Sequence, residues 1–239
     1  MSPVLFAVFM DVLIVRVRKC GVGCKLVDGF YGCLFYADDI LLLSPSIKVV
    51  RLMLVICEQF ALEFIVKFNA SKSVAIGVGP CFNAKCAPSL TLCGTELKFV
   101  SIVKYLGVHM IAARVFKVSV EHIKVKFYRV FNYVYSRAKA ANSEIIIVEL
   151  MKAYCLPFLS YASEAVSLSR SNVQILNKCI SRAVCKTFGI SDSKLVQTMH
   201  EAVGLQDITI LIERHRERFV DKLIANDEYR DILLCSSCL

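Results

Sequence analysis

Two adjacent aspartates lie between two apolar runs near the N-terminus. The segment reads Leu34-Phe35-Tyr36-Ala37-Asp38-Asp39-Ile40-Leu41-Leu42-Leu43. Burying two neighbouring carboxylates without partners would cost several kcal/mol, so the apolar flanks predict a tight turn at the surface of a sheet. Mg²⁺ is commonly bound by one or two carboxylates together with substrate phosphates. The pair therefore suggests a divalent-cation site, although most Asp-Asp pairs are simply solvated turn residues.

Three further segments accompany this pair along the chain. They read Ser2-Pro3-Val4-Leu5-Phe6 (followed by Asp11), Phe68-Asn69-Ala70-Ser71-Lys72-Ser73 and Lys104-Tyr105-Leu106-Gly107. In this order, over residues 2–107, the four segments resemble the reverse transcriptases of non-LTR (LINE-type) retrotransposons. The aromatic-x-Asp-Asp turn resembles the catalytic hairpin of that family, and the last segment resembles its primer-grip strand.

The resemblance implies an RNA-directed DNA polymerase that uses two-metal nucleotidyl transfer. It implies that Asp38 and Asp39 bind Mg²⁺ or Mn²⁺ and that Lys72 lies near the leaving phosphates. Tyr36, Tyr105 and Gly107 would contact nucleic acid. The implied partners are an RNA template, a DNA primer and deoxynucleotides, with no membrane.

Blander interpretations stay open for several of these residues. Lys72 also fits a surface turn, Gly107 a β-bulge, and Asp11 a solvated helix carboxylate. The family needs another aspartate from a motif that precedes Pro3, so we expect this chain alone not to extend a primer. Met1 directly before Ser-Pro suggests a fragment of a larger reading frame. The alternatives are a non-catalytic nucleic-acid-binding module and a decayed retroelement relic.

Positive charge is concentrated in the middle of the chain, which carries a net charge of +9. Residues 101–140 hold one acid and eight basic residues: Lys104, Arg114, Lys117, Lys124, Lys126, Arg129, Arg137 and Lys139. Such a concentration predicts a polyanionic partner. On one long predicted helix, we expect one face with Lys117, Lys124 and Tyr128, and another with Lys126, Arg129, Tyr133 and Arg137. Both faces would bind a nucleic-acid backbone.

Periodicity predicts an α+β fold, with a partial polymerase palm over 1–111 followed by an all-helical thumb and C-terminal region over 112–239. The palm is an antiparallel sheet with helices. Its predicted elements are a buried helix with the apolar stripe Leu5, Val8, Phe9, Val12 and Val15, strands at 24–27, 31–35 and 40–43, an eighteen-residue helix after Ser46, and strands at 65–68, 73–78, 90–93, 97–100 and 105–110. The helical part has an apolar stripe from Phe116 to Val134 and further helices at 143–155, 171–188, 193–203 and 207–224.

The twelve cysteines do not indicate a disulfide framework, because the chain is long and carries no export signal. Only Cys235-x-x-Cys238 has the spacing of metal ligands, and two incidental thiols explain it better than a truncated zinc knuckle. No apolar run is long enough to span a membrane. We therefore expect an intracellular location, in the cytoplasm, the nucleus or both.

Overall fold

This computed structural model describes residues 3–26, 29–80, 82, 87–141 and 143–226. The chain divides into two compact units. Among the described residues, the first unit holds those up to Val103 together with Ala112–Val115, and the second holds Lys104–Ile111 and 116–226. The Cys235-x-x-Cys238 pair lies outside the described residues. In the part of the chain that the structure describes, no helix is both long and apolar enough to cross a membrane.

The first unit combines two long helices with short strands. Its elements are α1 (Pro3–Lys19), β1 (Lys25–Leu26), β2 (Gly29–Phe30), β3 (Cys33–Tyr36), β4 (Asp39–Leu42), α2 (Ile47–Phe64), β5 (Val74–Ala75), β6 (Leu90–Leu92) and β7 (Thr95–Phe99). Strands β1 and β2 pair antiparallel, and so do β3 and β4. The predicted strand at 31–35 is found only as β3, because Tyr31 and Gly32 belong to no strand and β2 ends before them.

The N-terminal helix α1 is present as expected, but most of its predicted apolar stripe is exposed to solvent rather than buried. Leu13 and Val17 are fully buried, whereas Leu5 is 62% exposed and Val8 is 66% exposed. Val12 is also exposed. Apolar residues occur on every side of α1, so periodicity alone could not decide which side would pack.

Helix α2 has the predicted start, end and length. Ser46 caps its first turn, since the Ser46 side chain accepts a hydrogen bond from the Val49 N–H at 3.3 Å. Cys57 and Phe60 of α2 are buried against Leu13 of α1. This core raises the pKa of the Cys57 thiol to about 12, chiefly because burial disfavours the thiolate.

The segment after α2 is not the predicted strand at 65–68. Ile65 ends the helix in the left-handed region, with φ of 56°, and its N–H bonds the Ala61 carbonyl. Strand β5 pairs in parallel with β7 instead, and β6 pairs antiparallel with β7. Buried Leu90, Leu92 and Leu97 join this three-stranded sheet to Leu54 of α2.

The chain then forms a second three-stranded sheet. Its strands are β8 (Ile102–Tyr105), β9 (Val108–Ile111) and β10 (Lys117–Ser119), in the order β8-β9-β10. The predicted single strand at 105–110 is wrong, because Leu106 and Gly107 form a two-residue turn with φ of 45° and 81°. Positive φ at both positions suits the twist of a hairpin.

The prediction that everything after residue 112 is helical is also wrong at its start. Strand β10 pairs antiparallel with β9, with Lys117 opposite Ile111. Val115, Val118 and Val120 make this stretch rich in β-branched residues, which favour strands. The helix begins only at Glu121, so Phe116 precedes it and is 53% exposed.

Six α-helices in the described residues complete the second unit. They are α3 (Glu121–Ala138), α4 (Glu144–Tyr154), α5 (Leu156–Ser160), α6 (Arg170–Phe188), α7 (Ser193–Ala202) and α8 (Ile208–Ile224), with a 3₁₀ turn at Lys139–Ala141. All four predicted C-terminal helices are confirmed, while the short α5 was not expected. The core of the second unit includes Phe127, Met151, Cys155, Ile180 and Ile208. Burial raises the pKa of Cys155 to about 11. The α+β class is confirmed.

Candidate functional site

The aspartate pair lies at the tip of the β3–β4 hairpin. Tyr36 and Asp39 form the last cross-strand pair, so Ala37 and Asp38 make a two-residue turn. Ala37 adopts φ of 51°, which is unusual for a residue other than glycine. Cys33 and the half-buried Phe35 pack into the core of the first unit, and this packing holds strand β3 in place. Both carboxylates and the Tyr36 ring are exposed.

The ligand atoms of this turn suit a Mg²⁺ ion better than they suit a structural zinc ion. Asp38 and Asp39 offer hard carboxylate oxygens in a solvent-accessible position, and Mg²⁺ is commonly held by one or two carboxylates with waters and phosphates. A closed zinc site needs four ligands. Among the described residues, no group of three or more His, Cys, Asp or Glu side chains could hold a metal. The carboxylates of the turn are thus two candidate ligands.

Lys72 lies in a separate turn that Asn69 organises. The Asn69 side chain accepts hydrogen bonds from the Lys72 N–H at 3.2 Å and from the Ser71 hydroxyl at 2.7 Å. The predicted turn at 69–72 is thus present, and the Lys72 side chain is exposed. No ion pair within the described residues joins Lys72 to Asp38 or Asp39.

An open cavity adjoins this turn. It has a volume of about 480 Å³ and is lined by Lys67, Phe68, Asn69, Ala70, Ser71, Cys93 and Thr95. The lining mixes apolar and polar side chains, and the polar ones comprise one cation, one amide and two hydroxyl groups. It lies within the first unit, beside the turn that bears Lys72.

Gly107 occupies the second position of the β8–β9 turn. A Cβ atom placed there would lie 3.0 Å from the Tyr161 ring, and the Tyr161 hydroxyl donates a hydrogen bond to the Leu106 carbonyl at 3.0 Å. Tyr105, at the end of β8, is half-buried. Gly107 is therefore required by the turn and by the close approach of Tyr161, rather than by a bulge in one continuous strand.

Replacing Gly107 by alanine should destabilise the second unit by about 1–3 kcal/mol more than replacing Gly94 by alanine destabilises the first unit. The two glycines have similar positive φ values, 81° and 73°, so both substitutions carry the same backbone strain. Only the Cβ at residue 107 would contact another side chain, because nothing lies within 4 Å at Gly94. Hydrogen exchange of the β6–β7 amides and of the β8–β9 amides measures the loss in each unit separately, and equal losses would show that Tyr161 simply moves aside.

The first of the two predicted basic faces is not a helix face. Lys117 belongs to strand β10, while Lys124 is in α3 and forms an ion pair with Glu121 at 2.5 Å. Because β10 ends before the helix begins, Lys117 and Lys124 do not follow helical spacing. This part of the prediction was wrong because it extended α3 by one turn too many.

The second predicted face is present on α3. Lys126, Arg129, Tyr133 and Arg137 are exposed and share one side of the helix. The Arg137 guanidinium lies 5.6 Å from the centre of the Tyr133 ring, and the Lys126 ammonium lies 4.3 Å from the centre of the Phe158 ring. We call these four residues the α3 outer face.

Two histidines that carried no predicted role lie together in the second unit. The rings of His109 and His122 are 3.7 Å apart between centres. Burial, followed by the neighbouring His109, lowers the pKa of His122. Their Nδ1 atoms are buried and make no hydrogen bond with the described residues. Sequence spacing gave no signal for this pair, because strand pairing between β9 and β10 brings it together.

A comparison with known protein families finds a match in the N-terminal part of the chain. Residues 1–110 match the family model described as reverse transcriptase (RNA-dependent DNA polymerase). No curated protein is similar enough to the chain to count as a match. The matched range contains the Asp38-Asp39 hairpin and the Lys72 turn, and it ends within β9. Over residues 1–110 the chain is therefore similar to the reverse transcriptase family.

Proposed function

We propose that the chain is a fragment of an RNA-directed DNA polymerase from a non-LTR (LINE-type) retrotransposon, with the C-terminal part of the palm followed by the thumb. The observation that carries this proposal is the exposed Asp38-Asp39 pair at a hairpin tip, inside the range that matches reverse transcriptases. An RNA template, a DNA primer and deoxynucleotides are the partners that this chemistry requires.

Asp38 and Asp39 would hold Mg²⁺ or Mn²⁺ at the hairpin tip. When bound, the ions activate the primer 3′-hydroxyl and neutralise the charge of the departing pyrophosphate. The hairpin keeps both carboxylates in place, because Cys33 on the same strand pair is anchored in the core. Lys72 would contribute positive charge near the leaving phosphates. Tyr36, opposite Asp39, offers an exposed ring beside the metal ligands.

The α3 outer face would hold the nucleic-acid backbone. Arginine and lysine side chains neutralise phosphates and release counterions, which makes the binding sensitive to salt. An exposed tyrosine between them offers a surface on which a base can stack. Arg129, Tyr133 and Arg137 combine both functions on one side of one helix.

The carboxylate pair alone gives an incomplete catalytic set for two-metal transfer. Two ions need more protein ligands than two adjacent carboxylates supply, and the described residues add no third group. We therefore propose that this chain on its own binds a divalent cation weakly and does not extend a primer.

Replacing Asp38 by asparagine should weaken Mn²⁺ binding at least about tenfold. Loss of a group that merely orients a ligand costs about 10–100-fold in metal affinity, so loss of a direct ligand should cost no less. Titration of the chain with Mn²⁺, followed through the free-ion signal in electron paramagnetic resonance, measures this affinity without any need for catalysis.

The matched control is Asp11→Asn, which removes an exposed carboxylate from α1 of the same unit. It should leave Mn²⁺ affinity unchanged. Equal weakening by both substitutions would show diffuse charge rather than a site. A primer-extension assay with Mg²⁺ or Mn²⁺ completes the test, and robust synthesis that depends on Asp38 would overturn the proposed incompleteness.

A non-catalytic nucleic-acid-binding module is the second candidate function. It is favoured by the α3 outer face, which lies in the second unit and does not involve the carboxylates. This alternative requires RNA binding that survives Asp38→Asn and that is lost when Arg129 and Arg137 are neutralised.

A further inference from the structure

Helix α6 has an unbalanced charge for a helix at the surface of a unit. Its nineteen residues include four basic residues and no acid. Helix α8 in the same unit shows the usual balance, because its basic residues alternate with Glu213, Glu217 and Asp221. Such mixed charge is what a solvated helix needs, since opposite charges one turn apart stabilise it and like charges destabilise it.

Three of the α6 cations form one line along the helix. Lys178, Arg182 and Lys186 are four residues apart and are all exposed. The line is about 12 Å long, because each residue advances a helix by about 1.5 Å. We call these three residues the α6 ridge. A row of like charges without interleaved acids costs stability, so the stability of the helix itself does not explain it.

The last cation of the α6 ridge is held in position by helix α3. The Lys186 ammonium donates a hydrogen bond to the Asn132 side-chain oxygen at 2.8 Å and lies 4.9 Å from the centre of the Tyr135 ring. The Lys139 ammonium lies 5.9 Å from the same ring. Two ammonium groups thus lie near Tyr135, and the hydrogen bond that holds Lys186 lowers the entropy cost of binding an anion there.

We propose that the α6 ridge, together with Lys139, binds the phosphodiester backbone of a single-stranded nucleic acid. This surface is separate from the α3 outer face. Tyr133 and Tyr135 are two residues apart on α3 and therefore point to different sides of it. The inference goes beyond the proposed function, because it assigns a nucleic-acid contact to a helix that the function did not use.

The surroundings of the α6 ridge favour this ligand over a membrane or a protein. The apolar side of α6 is consumed by the core, where Leu176, Ile180 and Val184 are fully buried. A membrane-binding helix needs a free apolar face beside its cations. A protein interface needs large apolar or aromatic anchors, and α6 has no exposed large hydrophobic residue. A linear row of cations alone suits a linear polyanion.

Neutralising the α6 ridge should weaken RNA binding and reduce its dependence on salt. The variant is Lys178→Gln, Arg182→Gln and Lys186→Gln combined, and the probe is a fluorescein-labelled twenty-nucleotide single-stranded RNA of mixed sequence. Each lost phosphate contact lowers the slope of log affinity against log salt by about 0.7, so the triple variant should lower it by about 2. Fluorescence anisotropy over a range of salt concentrations measures the slope.

Helix α8 provides a matched control. Arg214→Gln, Arg218→Gln and Lys222→Gln remove the same charge at the same four-residue spacing from exposed positions that lie among acids. This control should leave the slope unchanged. Circular dichroism of both triple variants must show the helix content of the native chain, and a smaller α6 variant, Lys178→Gln with Arg182→Gln, replaces the triple if it fails to fold.

Four results would overturn the inference. They are equal slope losses in the α6 and α8 variants, an unchanged slope in the α6 variant, no RNA binding by the native chain at low salt, and unchanged RNA binding alongside lost binding to anionic phospholipid vesicles. The proposed function is tested separately. If Arg129→Gln with Arg137→Gln weakens RNA binding and the α6 variant does not, the α3 outer face stands and the α6 ridge does not.

Discussion

Replacing Phe127 by alanine should destabilise the second unit by about 3–5 kcal/mol, the usual loss for a buried aromatic side chain. Phe127 is fully buried in the core of that unit, and its ring lies parallel to the Phe131 ring with 6.1 Å between centres. The substitution removes apolar contacts and leaves a cavity that close-packed helices cannot fill. Hydrogen exchange of the α3–α6 amides, followed by mass spectrometry, reports the loss for this unit alone.

Tyr133→Ala on the same helix is the control for Phe127→Ala. Tyr133 is 64% exposed, so its loss should change stability by no more than about 0.5 kcal/mol. It should instead weaken single-stranded RNA binding, since stacking of one base contributes about 1–3 kcal/mol. Equal destabilisation by both substitutions would mean that α3 does not bury Phe127 and expose Tyr133.

Replacing Leu13 by alanine should destabilise the first unit by about 2–5 kcal/mol. Leu13 is fully buried on α1, in the same core as Phe60 and Cys57 of α2. Helices α1 and α2 lose their central contact when this side chain is shortened. Chemical denaturation followed through the tyrosines would mix both units, so hydrogen exchange of the α1 and α2 amides is the better measurement.

Comparing Val8→Ala with Leu13→Ala tests which face of α1 is buried. Val8 is 66% exposed, so its truncation should cost no more than about 0.5 kcal/mol. The periodicity of the sequence placed Val8 in the core and left Leu13 out of it. The opposite ranking of the two variants would restore that sequence-based orientation.

Capping residues made some helices predictable from the sequence. Ser46 and the change of pattern near Phe64 predicted a helix of about eighteen residues, which agrees with α2. In the second unit, Ser169, Asp192 and Asp207 each accept a hydrogen bond from the first turn of a helix, and those helices begin within one residue of the predicted starts. Local side-chain to backbone bonds act within four residues, so a single sequence contains the information that they need.

The elements that were predicted wrongly depend on partners distant in the sequence. Leu106 is a poor turn residue by its type, and only the pairing of β8 with β9 explains its positive φ. The strand β10 was taken for a helix because Phe116 and Val120 happen to fit helical spacing. Its pairing with β9 decides the outcome, and spacing along the chain contains no trace of it.

The same distinction applies to the candidate functional residues: some could be predicted from the local sequence, and others depend on strand pairing. The Asp38-Asp39 turn could be placed from the sequence, because apolar strands on both sides leave adjacent carboxylates no other position. The α6 ridge follows from the four-residue spacing of its cations, although the denser positive charge of residues 101–140 predicts a polyanion surface there instead. The His109–His122 contact could not be found, since it requires the strand register.

The two most strongly shifted thiols give each unit its own unfolding reporter. Cys57 lies in the core of the first unit and Cys155 in the core of the second, with pKa values raised to about 12 and 11. At neutral pH neither forms the thiolate that alkylating reagents attack, and neither is accessible. Once a unit opens, its cysteine regains ordinary reactivity. Alkylation at Cys57 and at Cys155 therefore follows the opening of the two units independently, within one unlabelled chain.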